Sequence, residues 1–320
     1  MKSGLEQSID QFIEHKNLLE KQILFDYDFN LCISSLLSIR FEKAIDPKKL
    51  KTQKNLIQKN TKAFSNYRGI IELPCATLLS FYEDPGKALE TSVSSLRYLK
   101  KNGFKNSNYL SFAILQNQKD GADLDAKTIE VRTMNLYQQM KKKYKVPTDS
   151  LDYGYLCILS QNEPEENLVH KMDQLYRLAK KEKMDSGNSA LLAKILCLTD
   201  AENEAILKKA FTLYEALKEE KIKFSDYING TNLGILTLLS EDCTETAKAI
   251  KEVYQSLKQK KNFSNVLSDK NQRMLYSFLL VTMHLTKENK AMDETKKQEL
   301  LDIAFASAIS VGSGILSNFQ

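Results

Sequence analysis

The stretch Ile206–Lys218, ILKKAFTLYEALK, decides the fold class. Ile206, Ala210, Leu213, Tyr214 and Leu217 fall on one stripe of an α-helix, while Lys208, Lys209, Glu215 and Lys218 lie mostly away from it. A helix of this kind must bury its stripe against neighbours. The rest of the chain supplies them, because the pattern returns: Leu96 with Leu99-Lys100, Tyr137 with Met140-Lys141, Tyr176 with Ala179-Lys180, Tyr214 with Leu217-Lys218, and Tyr254 with Leu257-Lys258. The anchors are 41, 39, 38 and 40 residues apart.

A second motif keeps step with the first, as Leu78-Leu79-Ser80, Ile158-Leu159-Ser160, Cys197-Leu198-Thr199 and Leu238-Leu239-Ser240. Two signals that share one period indicate a repeat. Each unit reads as a short, nearly all-apolar helix, a tight acidic turn and a longer amphipathic helix. The turns are Glu83-Asp84-Pro85, Asn162-Glu163-Pro164, Asp200-Ala201-Glu202 and Glu241-Asp242-Cys243. Pro at a first helical position loses no hydrogen bond, and carboxylates suit the positive helix end.

A single pair cannot bury its own apolar face, so stability requires stacking. The pattern predicts an all-α chain: an α-solenoid of about five to six helix pairs with a period near 40, in the geometry of HEAT or tetratricopeptide arrays. The period is too long for tetratricopeptide units themselves. Residues 67–286 would hold the pairs, with Arg273–His284 as a sixth short helix. Residues 1–66 would form an N-terminal cap of three helices: Ser3–Glu20, Phe29–Phe41 and a Lys-rich helix opening at Asp46-Pro47. Residues 287–320 would close the stack with a helix at Gln298–Ser310. All three segments are read as one continuous domain.

Composition agrees with long helices, since 320 residues contain only 11 Gly and 5 Pro. Met1–Asp10 has no apolar core of a secretory signal, and Ile303–Leu316 is too short to span a bilayer. The five cysteines, at 32, 75, 157, 197 and 243, sit singly in apolar runs. They are expected to be buried, reduced thiols in a cytoplasmic protein.

Catalytic patterns are missing from the sequence. His15, His170 and His284 are far apart, no HExxH is present, and neither GxGxxG nor GxxxxGK[ST] occurs. Gly312-Ser313-Gly314 does not form a GxSxG frame. Asp149 and Asp152, three residues apart, read as helix-start residues before they read as an acid and base pair. No metal or cofactor is expected, and the chain reads as non-enzymatic.

Lysines gather where the longer helices end, including Lys141, Lys142, Lys143, Lys180 and Lys181. Cations complement the negative end of a helix, which accounts for them simply. Stacking could also line them up as a basic ridge for an acidic partner. An acidic protein, nucleic acid or anionic lipid could use such a ridge; the modest net charge of +5 does not by itself indicate nucleic acid, which is not the expected partner. Tyr137, Tyr176, Tyr214 and Tyr254 share one position of the repeat and read as core with the hydroxyl at its margin. Arg68 and Arg132 are conspicuous in a Lys-rich chain: each reads first as the partner of a buried carboxylate, and second as a fork that binds a carboxylate or phosphate in a groove.

Tyr67-Arg68-Gly69, then Arg132-Thr133-x-x-Leu136-Tyr137-x-x-Met140-Lys141-Lys142, then Thr148-x-x-x-Asp152-Tyr153 resemble, in that order, the bacterial family called domain of unknown function four thousand and three. The resemblance implies a cytoplasmic protein of Gram-positive bacteria with no assigned activity, cofactor or partner. The family pattern has a His followed by Pro where this chain has Tyr144-Lys145. Arg68, Arg132, Thr148 and Asp152 match it and form the candidate ligand or partner site. The leading expectation is a scaffold that binds a protein or peptide. A regulator that takes a small anionic ligand in an Arg-lined groove is the second reading, and an enzyme of undetected type stands behind both.

Overall fold

The computed structural model describes residues 3–105, 107–118, 126–142, 152–160, 166–225, 228–260, 263 and 270–316. Among them it is all-helical, with fifteen α-helices, a 3-10 turn at Gly69–Ile71, and no strand beyond an isolated bridge between Ser225 and Ile228. Lys143, Thr148, Asp149 and the Glu163-Pro164 turn lie outside the described residues.

The described chain divides into two compact units. The N-terminal unit takes in residues 10–138, 152–160 and 305–316; the C-terminal unit takes in residues 3–9, 139–142 and 166–304.

In sequence order the first elements are α1 (Ser3–Gln22), α2 (Asp28–Arg40), α3 (Pro47–Asn60), α4 (Glu72–Leu79), α5 (Pro85–Lys101), α6 (Asn108–Gln116), α7 (Ala126–Lys142) and α8 (Asp152–Leu159). The three helices expected before residue 66 are present, each within two residues of its expected start. The short helices α4, α6 and α8 are buried almost all round, with every residue of α8 buried. Such a helix survives only inside a shell of others, and α4 duly touches α2, α3, α5 and α6, while α6 also packs on α5 and α8. The α6–α8 contact needs Gly154, because a Cβ there would stand 2.9 Å from the Tyr109 ring.

The remaining elements are α9 (Glu166–Lys181), α10 (Ser186–Leu196), α11 (Asn203–Glu219), α12 (Gly230–Leu239), α13 (Cys243–Gln259), α14 (Lys270–Glu288) and α15 (Glu294–Leu316). Here α10 packs on α12 and α12 on α14, while α9 packs on α11 and α11 on α13; α9–α10, α11–α12 and α13–α14 contacts join the two rows. The α10–α12 contact is close: a Cβ on Gly234 would lie 2.6 Å from Ile195 Cβ, and one on Gly230 would lie 2.2 Å from the Asn188 carbonyl oxygen.

Both ends of the helices are built from local chemistry. The Asp46 carboxylate accepts from the amides of Lys48 and Lys49, with Pro47 in the first helical position. Asp84, Asp185 and Asp242 cap α5, α10 and α13 in the same way. Three of the longer helices stop by one device. After α5, α9 and α11 the amides of Phe104, Met184 and Ile222 donate back to the carbonyls of Leu99, Ala179 and Leu217, and Gly103, Lys183 and Lys221 take positive φ. This is the Schellman arrangement, in which a buried residue after the turn anchors the chain; here those residues are Phe104, Met184 and Ile222.

The core matches the stripe read from Ile206–Lys218. Ile206, Ala210, Leu213 and Leu217 are buried, joined by Leu207 and Ala216. The repeat-position tyrosines are more marginal. Tyr254 is buried, whereas Tyr137, Tyr176 and Tyr214 are half-exposed. Tyr137 completes an aromatic trio with Phe104 and Tyr153, with ring centroids 4.2 to 5.3 Å apart. Tyr176 shares a 2.8 Å hydrogen bond with the Ser186 hydroxyl. All five cysteines are free thiols, four of them buried and Cys243 half-exposed.

Candidate functional site

Arg68 stands just before the 3-10 turn, and its fork points back at the end of α3. Its Nε donates to Thr61 Oγ1 at 2.9 Å, and its Nη2 donates to the carbonyl oxygens of Gln58 and Thr61. The last carbonyls of a helix lack intrahelical donors and carry partial negative charge. Arg68 satisfies them, so its Nε and Nη2 donors, expected to meet a ligand, are engaged at the end of α3.

Arg132 lies half-buried on α7, and Asp152 is the first residue of α8, only 4 % exposed. Both are engaged in further polar or electrostatic contacts. A carboxylate in the first turn of α8 faces the positive end of that helix. Thr148, the fourth residue of this set, is outside the described part of the chain. The basic set divides similarly. Lys141, Lys180 and Lys181 are exposed at the ends of α7 and α9, Lys142 closes α7, and Lys143 is not described.

Beside Arg132 the N-terminal unit buries a polar cluster. The Thr133 hydroxyl bonds the Ile129 carbonyl at 2.7 Å and Ser160 Oγ at 2.8 Å. Ser160 donates in turn to the Cys157 carbonyl, which also accepts from Asn117 Nδ2 at 2.7 Å. The cavity between these groups is only about 10 Å³, no larger than one water needs. Burial pushes the Cys157 thiol up to about 12, against the Thr133 and Asn117 hydrogen bonds that favour the thiolate. A thiol held protonated is a poor nucleophile, so this cluster locks α6, α7 and α8 together and offers no reactive group.

Space for a ligand is found in the C-terminal unit. A groove of about 650 Å³ runs along α9, α11 and the start of α13. Its apolar surface comes from Leu178, Leu207, Phe211 and Ala216, with Phe211 and Leu178 half-exposed. Charged groups rim it: Glu182, Glu204, Glu215 and Glu219 against Lys181 and Lys208. Glu215 is held by Lys218 at 2.9 Å, and Lys218 also rests over the Tyr214 ring. Lys181, a member of the expected basic set, therefore stands among carboxylates.

A second groove, of about 540 Å³, follows α13 and α14. Leu5, Leu239, Ala249, Val281 and Leu285 provide its apolar surface. Five carboxylates, Glu241, Asp242, Glu245, Glu252 and Glu288, share its edge with Lys248 and His284. Asp242 is occupied as the cap of α13 and Glu245 by Lys248 at 3.0 Å. Carboxylates thus outnumber lysines in both grooves, although the chain as a whole carries a net charge of +5.

Of the groove residues, Lys181 alone was among the candidate site residues that the sequence singled out. Phe211 flanks the buried stripe of α11 and stays half-exposed, making its apolar face wider than packing between helices requires, and that width was the available signal. Among the described residues no three His, Cys, Asp or Glu side chains are placed to hold a metal ion.

A family model described as protein of unknown function (DUF4003) matches residues 15–307. Neither a curated protein nor a solved structure matches the chain.

Proposed function

The chain belongs to the DUF4003 family, whose description assigns no activity, and from its geometry we propose that it is an interaction scaffold of helical-repeat build that binds a peptide segment of a partner protein. The observation that carries this reading is the groove along α9, α11 and α13: about 650 Å³, open, apolar in its floor and charged at its rim. A peptide lodged there buries apolar side chains on Phe211 and Leu178, the half-exposed residues of the floor, while the rim fixes its register. Carboxylates outnumber lysines at both grooves, so the favoured peptide is net basic.

The helical-repeat part of the proposal draws support from three features. Two rows of helices, α9–α11–α13 and α10–α12–α14, pack in register within the C-terminal unit. Helices α5, α9 and α11 share one termination motif. Asp caps recur at the helix starts. Stacked helix pairs of this kind present successive grooves, which suits the recognition of an elongated partner. An Arg-lined ligand groove has less support, because the Arg68 fork is spent on the end of α3.

Selection from a random peptide library against the purified full chain tests the reading. Recovered peptides are expected to share a net positive charge with spaced apolar anchors, and to lose binding as salt is raised. A library that yields no peptide, or yields acidic ones, would refute it.

A further inference from the structure

Between Pro47 and Ile71 the chain carries seven cations and no carboxylate, although the whole sequence is nearly balanced at 46 basic to 41 acidic residues. Helix α3 sets the direction of that charge. Leu50, Gln53 and Ile57 face inward, so Lys48, Lys51 and Lys59 project from the opposite side, and Lys49 and Lys62 are exposed with them. The carboxylates that adjoin this surface are engaged: Asp46 caps α3, Asp26 holds Lys54 at 3.0 Å, and Glu72 accepts from Gln58 at 2.6 Å.

Segments tied to α3 also expose apolar side chains. Six large hydrophobic residues are exposed among the described residues, and five of them lie on α1 (Leu18), in the loop between α1 and α2 (Leu24, Phe25 and Tyr27) or in the segment after α3 (Phe64). Phe25 and Phe64 are fully exposed, at 104 % and 100 %, and Leu24 is 69 % exposed. Phe25 also has a φ of 63° just past the end of α1. The other described non-glycine residues in that conformation, Glu42, Lys183 and Lys221, are charged and suited to solvent. Both aromatic loops are tied to α3, one through Asp26 and Lys54, the other through Arg68 and Thr61.

We propose that this face of the N-terminal unit docks peripherally on an anionic lipid bilayer. Leu24, Phe25 and Phe64 enter the boundary between headgroups and acyl chains, and the lysines of α3 meet the lipid phosphates. An aliphatic Leu24 beside Phe25 favours lipid over nucleic acid, since a leucine offers no face for stacking a base. The exposed cations are also all lysines, point charges suited to a fluid phosphate surface, with no free arginine fork for base edges. Peripheral docking needs no spanning segment, and no described helix is long and apolar enough to cross a membrane.

The chain has no tryptophan, so Phe25→Trp introduces a single reporter. Its emission is expected to shift to the blue with vesicles of equal parts phosphatidylglycerol and phosphatidylcholine, and to stay unchanged with phosphatidylcholine alone. In co-sedimentation with the mixed vesicles, Phe25→Ser with Phe64→Ser should weaken binding of the full chain about tenfold. Lys48→Glu with Lys51→Glu and Lys59→Glu should weaken it about a hundredfold or more. All the substituted side chains are exposed, and an unchanged melting temperature shows that the fold persists. Unshifted emission from the Phe25→Trp protein, equal binding to neutral vesicles, or full retention by the Phe25 and Phe64 double variant overturns the proposal; so does a dimer of the chain that vesicles fail to dissociate. The face and the peptide grooves share no residue, so library peptides should bind these variants as they bind the wild type.

Discussion

A guanidinium that donates to the carbonyls of Gln58 and Thr61 and to the Thr61 hydroxyl behaves as a helix cap. Arg68→Ala should cost about 1 to 2 kcal/mol of stability, because two carbonyls lose a charged donor. Arg68→Lys should recover little of it, since a point charge cannot reproduce the fork. Denaturant unfolding of the three proteins decides the matter; a loss below about 0.5 kcal/mol in Arg68→Ala would show that the cap contributes nothing measurable.

Cys157 makes a second statement at this scale. Its folded-state value is raised from 9.0 to about 12, so the unfolded chain releases the thiol proton while the folded chain keeps it. Stability from this group is fully present below about pH 9 and falls as pH rises towards 12. Cys157→Ala, less stable at neutral pH through the lost packing, should therefore show a shallower decline in unfolding midpoint above pH 9. Parallel declines in the two proteins would contradict the assignment. Neither role was legible in the sequence. That Arg68 stands out in a Lys-rich chain and that Cys157 is a buried thiol could be read from the sequence, but what each touches depends on residues up to 40 positions away.

At the scale of elements the sequence was far more informative. Helix starts at Asp46, Asp84 and Asp242 follow from capping chemistry confined to four consecutive residues, and the inward stripe of α11 follows from its period. Helix α6 carries no copy of the second motif, and its fully buried face simply reads as apolar. Tyr214, on the expected stripe, sits at the margin because Phe224 and Lys218 flank it with ring contacts at 4.9 and 5.1 Å. Leu213 and Leu217, not the tyrosine, fill the core, at 0 % and 1 % exposure. Leu213→Ala should accordingly cost about 3 kcal/mol. The close approach of α10 and α12 was hidden, since nothing in a glycine's own neighbourhood says which backbone it meets. Gly234→Ala should destabilise by about 1 to 3 kcal/mol through contact with Ile195. A neutral or stabilising Gly234→Ala in thermal unfolding would mean that the helices stand further apart than described.

For the molecule as a whole, an all-helical chain in two compact units carries the grooves on which the proposed peptide binding rests. Periodicity could announce the helices, but the grooves arise where helices from different parts of the chain fail to cover one another, and no local pattern records that. The most direct test of the peptide-binding account is a calorimetric titration of one library-selected basic peptide into the wild type and two groove variants, Phe211→Ser and Glu204→Lys with Glu219→Lys. The account predicts that each variant, still folded, binds at least about tenfold more weakly than the wild type, with the charge reversal also flattening the salt dependence. Equal affinity for the wild type and both variants would place the peptide elsewhere and contradict the central claim.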